Sequence, residues 1–417
     1  MEILPNNSED SFKKLLFFFN HSFKSLEDIN EVFFSGFAEF FNRVSKKYSS
    51  LEKKFIKYFP QLINLVKDID QLFPEKGVKT LKTGQNDEIK LTRKQVALIF
   101  LLSFFNRIDV KESSNKNYFN VSNVLFNTYE SLFHFGLCFM NYLAVIGKWL
   151  EEKNSILEQT ITYKRKNINS TEYFENIPEE KLCDLNLIST EESLFNGNAT
   201  YCIDFANKYI GGGVLTGGCV QEEILFAVEP EAIVSLFFME VMGDCDAIGI
   251  YNTIQYSKYS GYGFNFKYEG CLIDDKSPII MHRIIAIDAI PAKMFYLYNN
   301  DTIKEINRDI HKAFVGFDFA NDSEEQLPKI IATGNWGCGA FNGNHELKFI
   351  QQWIAASLAK LVRLDYYTFG DKNTKNIKKF YIDLKEKYKN VNDLYNALRC
   401  VSSSGKNYIM NLIKLKS

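Results

Sequence analysis

"GGGVLTGGCVQEEILF", residues 211–226, sets five glycines and two adjacent glutamates within sixteen positions of an otherwise hydrophobic segment. Glycine permits positive φ and lacks the β-carbon that keeps a ligand off the main chain. Gly211, Gly212 and Gly213, followed by Gly217 and Gly218, therefore predict a loop whose N–H groups converge on an anion such as a diphosphate. A helix beginning near Gln221 places Glu222 and Glu223 in its first turn, where the positive end of the helix dipole favours carboxylates. Consecutive helical residues point about 100° apart, so the two glutamates take different parts toward any one atom. A plain turn ahead of a dipole-stabilised helix start is the competing reading of the same residues.

Two familiar phosphate loops do not fit. No lysine followed by Ser or Thr comes after the glycines, and Thr216 stands where the last glycine of Gly-x-Gly-x-x-Gly belongs. A second glycine-rich stretch, "ATGNWGCGAFNGN" at 332–344, follows the strand-like "KII" and precedes a helix beginning near His345. It predicts another backbone nest for the same phosphates.

Outward from these loops, 417 residues with 46% hydrophobic side chains allow a large core and two regions. A formal charge of −2 with interspersed signs carries no basic stripe for nucleic acid, so an anionic ligand has to be held locally. The 8 cysteines stand singly, without a CxxC pair, and read as reduced thiols of a nuclear or cytoplasmic protein. The first apolar cluster, "LLFFFN" at 15–20, is too short and too lysine-flanked for a signal peptide. No run of about 18 apolar residues predicts a membrane span.

Residues 11 to about 155 repeat apolar positions three and four apart and read as helices, with polar surface loops at 76–88 and 111–117. From about 158, strand-like runs "TITYKRK", "AIGIYNTI", "IIAIDAI" and "DYYTFGD" alternate with helical segments at 302–314 and 345–362. This predicts an all-helical accessory region, 1–157, packed on an α/β domain, 158–417, with a buried mixed sheet.

With three glycines, a short spacer and Gln-Glu-Glu in place, the chain resembles the poly(ADP-ribose) glycohydrolases. "DFANKYIGGG" at 204–213, "QYSKYSGYG" at 255–263, "ATGNWGCGAF" at 332–341 and "YYTFGD" at 366–371 stand in that family's order and at about its spacings. The resemblance is strong from about 158 to 395 and weaker in the helical half. It implies a macrodomain-like fold, a twisted mixed sheet flanked by helices, in a compact form without the family's long regulatory N-terminal region.

The resemblance also implies an activity: hydrolysis of ribose–ribose O-glycosidic bonds of poly(ADP-ribose), mainly from the chain terminus, releasing ADP-ribose. It implies Glu223 as the acid that protonates the leaving 2′-oxygen and then deprotonates water, with a pKa lifted by burial and by Glu222. Glu222 and Asn207 would bind hydroxyls of the reacting ribose, Gln221 would support the loop, and Asp204 would order the Asn207 loop. Gly211, Gly212 and Gly213, with the amides of Gly337, Cys338, Gly339, Ala340 and Phe341, would cradle the diphosphate. Tyr262 would fold over the ligand, Phe341 and Asn335 would flank the distal ribose, and Phe369 would lie near the adenine. The family's acidic adenine contact upstream of Asp204 finds no position in "SLFNGNATYCI" without a chosen gap.

No cofactor or metal is expected, since His345-Glu346 lacks the second histidine of a zinc-hydrolase helix. The expected partners are the polymer and poly(ADP-ribosyl)ated proteins, with no nucleic acid and no membrane, for a monomer. A reader that binds ADP-ribose without cleaving it, and a hydrolase of smaller ADP-ribose conjugates, remain the alternatives.

Overall fold

The computed structural model describes residues 38–402, apart from 76, 105–120, 127–128, 190, 275, 277, 293–301 and 323–326, together with residue 412. The stretches "LLFFFN" and 111–117 lie outside the described residues.

Helices α1 (Ala38–Lys47), α2 (Ser49–Lys67), α3 (Arg93–Phe104) and α4 (Glu130–Glu151) form the first half. Along α2 the buried Leu51, Phe55, Phe59, Leu62 and Val66 fall three and four apart and make one apolar stripe. Helix α4 has no polar face: its side chains are buried almost from end to end, and 94% of its most apolar window lies inside the protein. Length and composition would let α4 cross a membrane, but the protein's own core already covers it.

One element departs from the helical reading of this half. Part of the polar stretch 76–88 leads into a strand, β1 (Asp87–Thr92), which pairs antiparallel with β2 (Thr160–Asn167) from Asp87↔Arg165 to Thr92↔Thr160. Its signal was short: Ile89 and Leu91 are buried while Lys90 between them is exposed, a period of two lasting three residues.

The remaining strands are β3 (Asp184–Ile188), β4 (Tyr201–Ala206), β5 (Asp246–Ile254), β6 (Ser257–Ser260), β7 (Lys267–Cys271), β8 (Met281–Asp288), β9 (Ile330–Gly334) and β10 (Arg363–Tyr367). Eight of the ten strands among the described residues form a mixed sheet in the order β1-β2-β5-β8-β4-β9-β10-β3, and β6 with β7 makes a separate hairpin. From β8 to β3 all pairings are parallel, whereas β1, β2, β5 and β8 pair antiparallel. Strands such as β5 and β4 are buried on both faces because helices cover both.

Helix α5 (Gln221–Val228) follows β4. Helices α6 (Thr302–Phe317), α7 (His345–Leu358), α8 (Ile377–Lys387) and α9 (Val391–Ser402) follow the later strands. One core cluster joins α2, α3, α4 and α5 to one face of the sheet, and a second joins α6 to α9 to the other. The carboxyl ends of β4, β8, β9 and β10 therefore share one edge, where parallel α/β sheets carry their sites.

Candidate active site

Strand β9 pairs with β4 only at Tyr201 and Cys202, which frees the next backbone groups of β4 on that side. The Gln221 amide fills the gap: its Oε1 accepts from Phe205 N at 2.8 Å and its Nε2 donates to Ile203 O at 3.1 Å. A side chain thus replaces a strand and fixes the start of α5 against the end of β4.

The next two residues are buried carboxylates, Glu222 at 2% and Glu223 at 6% exposure. Backbone N–H groups donate to all four of their oxygens. Glu222 accepts from Gly211 N at 2.6 Å and Asn207 N at 2.8 Å; Glu223 accepts from Gly213 N and Val220 N, each at 2.9 Å. The glycines make this approach possible, because a β-carbon on Gly212 would stand 2.5 Å from Glu223 Oε1 and 2.6 Å from Glu222 Oε2. Gly211 and Gly212 also hold φ of 84° and 51°.

This corrects the expected diphosphate cradle. The Gly211 and Gly213 amides are committed to the glutamates and the Gly212 amide to Tyr209 O at 3.0 Å, so the first glycine loop holds carboxylates rather than phosphate.

Asp204, fully buried on β4, has no hydrogen-bond partner for either carboxyl oxygen among the described residues. Burial, and then the Glu223 charge, push its pKa well above the usual carboxylate range. It therefore does not order the Asn207 loop, a second correction. Glu222 does that, through Asn207 N, while Asn207 Oδ1 accepts from Tyr209 N at 3.0 Å. Glu222 is pushed up in the same direction, first by burial, then by Asp204 and Glu223, against the downward pull of its two amide donors.

A cleft of about 790 Å³ opens in front of Glu222 and Glu223, bordered also by Asn207, Gln221 and Tyr262. Its far wall is the 335–341 loop together with Phe369. There the amides of Gly337, Gly339, Ala340 and Phe341 donate to no described residue, whereas Cys338 N is spent on Asn335 O at 3.0 Å. Beneath them the buried Lys348 of α7 pairs with Asp309, and its Nζ lies 3.4 Å from the place a β-carbon would take on Gly337. Open amides above a buried ammonium at a helix start leave donors there that an anion can use.

Asn335 borders the cleft but its side chain is engaged: Nδ2 donates to Thr368 O at 3.1 Å and Oδ1 accepts from Tyr366 OH at 3.2 Å. It thereby fixes the end of β10, where Phe369 adopts a left-handed φ of 53°, a conformation that costs a bulky residue energy and is found where a site needs it. Tyr262 sits at the tip of the β6–β7 hairpin between Gly261 and Gly263, whose φ values are 75° and 61°. The hairpin rests on α4: Phe266 meets Phe135 edge-on at 5.0 Å, and Tyr268 N donates to His134 Nδ1 at 3.2 Å.

Sequence reasoning missed Glu191, which borders the cleft beside Gly370, and the pair of Glu229 and His282. Burial opposes a charge on His282, but Glu229, 2.6 Å away at the end of α5, outweighs it and raises the imidazole pKa. Glu191 stands two residues before the 193–203 stretch that needs a gap, and Glu229 carried no motif.

The chain matches two family models. "Poly (ADP-ribose) glycohydrolase (PARG), Macro domain fold" covers residues 173–376, and "Poly (ADP-ribose) glycohydrolase (PARG), helical domain" covers 37–165. It is 34% identical to poly(ADP-ribose) glycohydrolase 2 of Caenorhabditis elegans over 51% of this chain and 46% of the relative. It is 33% identical to poly(ADP-ribose) glycohydrolase 1 of Arabidopsis thaliana over 42% of this chain and 44% of the relative. The matches thus span less than half the length of either relative. A solved poly(ADP-ribose) glycohydrolase from Deinococcus radiodurans in complex with ADP-ribose is similar at 12% identity and a TM-score of 0.35, over 54% of this chain and 95% of that one.

Proposed function

The chain belongs to the poly(ADP-ribose) glycohydrolase family, and on that premise we propose that it hydrolyses ribose–ribose O-glycosidic bonds of poly(ADP-ribose), mainly from the chain terminus, to release ADP-ribose. The observation that carries this reading is the pair of buried glutamates held by four backbone amides at one wall of the cleft, opposite a loop of open amides. The diphosphate binds the amides of Gly337, Gly339, Ala340 and Phe341. Phe369 and Glu191 lie toward the adenine, and Tyr262 and Phe341 close on the ligand.

The terminal ribose then meets Glu222 and Asn207, whose hydroxyl contacts orient the anomeric carbon. Glu223 protonates the departing 2′-oxygen as positive charge builds on the ribose, and afterwards takes the proton of the attacking water. Because amide donors fix both Glu223 oxygens, the acid needs little reorganisation at the moment of reaction.

A binding module without catalysis would need the open amides and Phe369 but not a second immobilised carboxylate. The decisive experiment incubates purified polymer with the wild type and with Glu223→Gln and follows ADP-ribose. Release by the wild type alone is expected; equal release by the variant overturns the assignment of Glu223.

A further inference from the structure

Among the described residues, the exposed large aromatics are Tyr129, Tyr209, Tyr262 and Phe264, with 58%, 52%, 59% and 83% of their surface open. They belong to three segments that meet around the 211–218 loop. Tyr129, at the start of α4, lays its ring against this loop: two ring carbons lie 3.5 and 3.6 Å from where a β-carbon on Gly217 would stand. The neighbouring Gly218 abuts the carboxyl of Glu223, 2.6 Å from Oε1 by the same measure. Tyr209 leads into the loop and accepts Gly212 N through its carbonyl, while the Lys208 ammonium sits 5.4 Å from the centroid of its ring. None of these three side chains borders the cleft.

On the glycohydrolase reading, the terminal ADP-ribose fills the cleft bordered by the open amides, and the rest of the substrate passes over the 211–218 loop that abuts the Glu223 carboxyl. Along that path stand two exposed tyrosines and a lysine. Exposed rings are sequence-tolerant stacking platforms for bases, and an ammonium beside them matches a phosphate. The pattern of ring and cation repeats the chemistry of one ADP-ribose unit.

We propose that Tyr129, Tyr209 and Lys208 form a leaving-side subsite that stacks the adenine and pairs with the diphosphate of the ADP-ribose unit following the scissile bond. The helical region thereby supplies part of the substrate site through Tyr129. The proposal rests on the glycohydrolase reading above.

Kinetics on purified poly(ADP-ribose) and calorimetry with free ADP-ribose test it together. Tyr129→Ala and Tyr209→Ala are each expected to raise KM for polymer on the order of tenfold, with kcat nearly unchanged and ADP-ribose affinity equal to wild type. Tyr129→Phe keeps the wild-type KM, and Lys208→Ala makes KM less dependent on salt. An unchanged KM in both alanine variants, or a parallel loss of ADP-ribose affinity, overturns the subsite. Should the wild type release no ADP-ribose, the parent reading has failed instead, and the subsite is judged by binding: Tyr129→Ala must then weaken affinity for polymer and not for ADP-ribose, equal affinities overturning it.

Discussion

Gly212 and Glu223 are in contact such that a single β-carbon on the glycine would lie 2.5 Å from Glu223 Oε1. The loop that looks like a ligand cradle is a mould for the acids. Gly212→Ala should displace both carboxylates and also strain a left-handed backbone, costing about 1–2 kcal/mol from the φ alone. Turnover is expected to fall by on the order of a hundredfold or more, while ADP-ribose still binds the 337–341 amides. Calorimetry beside an activity assay separates the two effects; a fully active alanine variant would remove the mould from the explanation.

Glu222 and Glu223 differ in what they hold, so their variants should differ in kind. Glu223→Gln keeps the shape but loses the transferable proton, and kcat should fall by about 10²–10⁴-fold with binding preserved. Glu222→Ala leaves the buried Gly211 N and the half-buried Asn207 N without acceptors, at about 1–3 kcal/mol for the first and less for the second. That variant is expected to lose activity and the larger share of melting temperature, since it orphans two N–H donors, whereas Glu223→Gln loses activity and orphans only one of Gly213 N and Val220 N, its amide oxygen still accepting from the other. Identical melting curves for wild type and Glu222→Ala would contradict the bonding described.

Asp204 gives a pH signature. Its carboxyl is neutral in the folded protein well above the pH at which the unfolded chain ionises, so its contribution to stability is full below about pH 4 and declines as pH rises toward the raised value. Asp204→Asn removes that decline. The variant should match the wild type in denaturant at pH 4 and exceed it at pH 7, the gap opening by at most about 1.4 kcal/mol per pH unit. Parallel stability curves for the two proteins across this range would mean Asp204 is ionised.

The residues show why some of this was legible beforehand and some was not. Alternation in "AIGIYNTI" and "IIAIDAI" and the stripe along α2 record burial directly, so strands and helices could be read from spacing. The Gln-Glu-Glu motif and both glycine loops were visible as motifs, yet the loops' tasks divide differently from expectation. Spacing says that Gly211 and Gly337 leave backbone open; which acceptor takes each amide depends on how α5 folds back on β4. Strand β1 was hidden because a three-residue alternation cannot outweigh polar flanks, and its pairing partners lie 68 to 78 residues away. Glu191 and Glu229 carry no pattern at all, since their places depend on the sheet's twist and on the end of α5.

Arg93 supplies the last test, of how the helical and sheet regions hold together. Its guanidinium, with no exposed surface, pairs with the equally buried Glu231 at 2.7 Å and donates to Asn252 O at 2.6 Å. Glu231 in turn accepts from Tyr256 OH at 2.6 Å and Ile254 N at 3.0 Å, so α3, the segment after α5, and β5 converge on one ion pair. Removing one partner strands the other charge away from water. Arg93→Met alone should therefore cost about 3–5 kcal/mol, while Arg93→Met with Glu231→Gln, which leaves no lone buried charge, should recover part of that loss. The same reasoning makes the fragment 158–417 unstable alone, since it would keep Glu231 without its cation and expose the edge of β2 that β1 now covers. Denaturant midpoints of the single and double variants, and the absence of a cooperative transition in the fragment, are the measurements. A freely folding fragment, or a double variant weaker than the additive sum, would mean the two regions are joined by apolar packing and not by this pair.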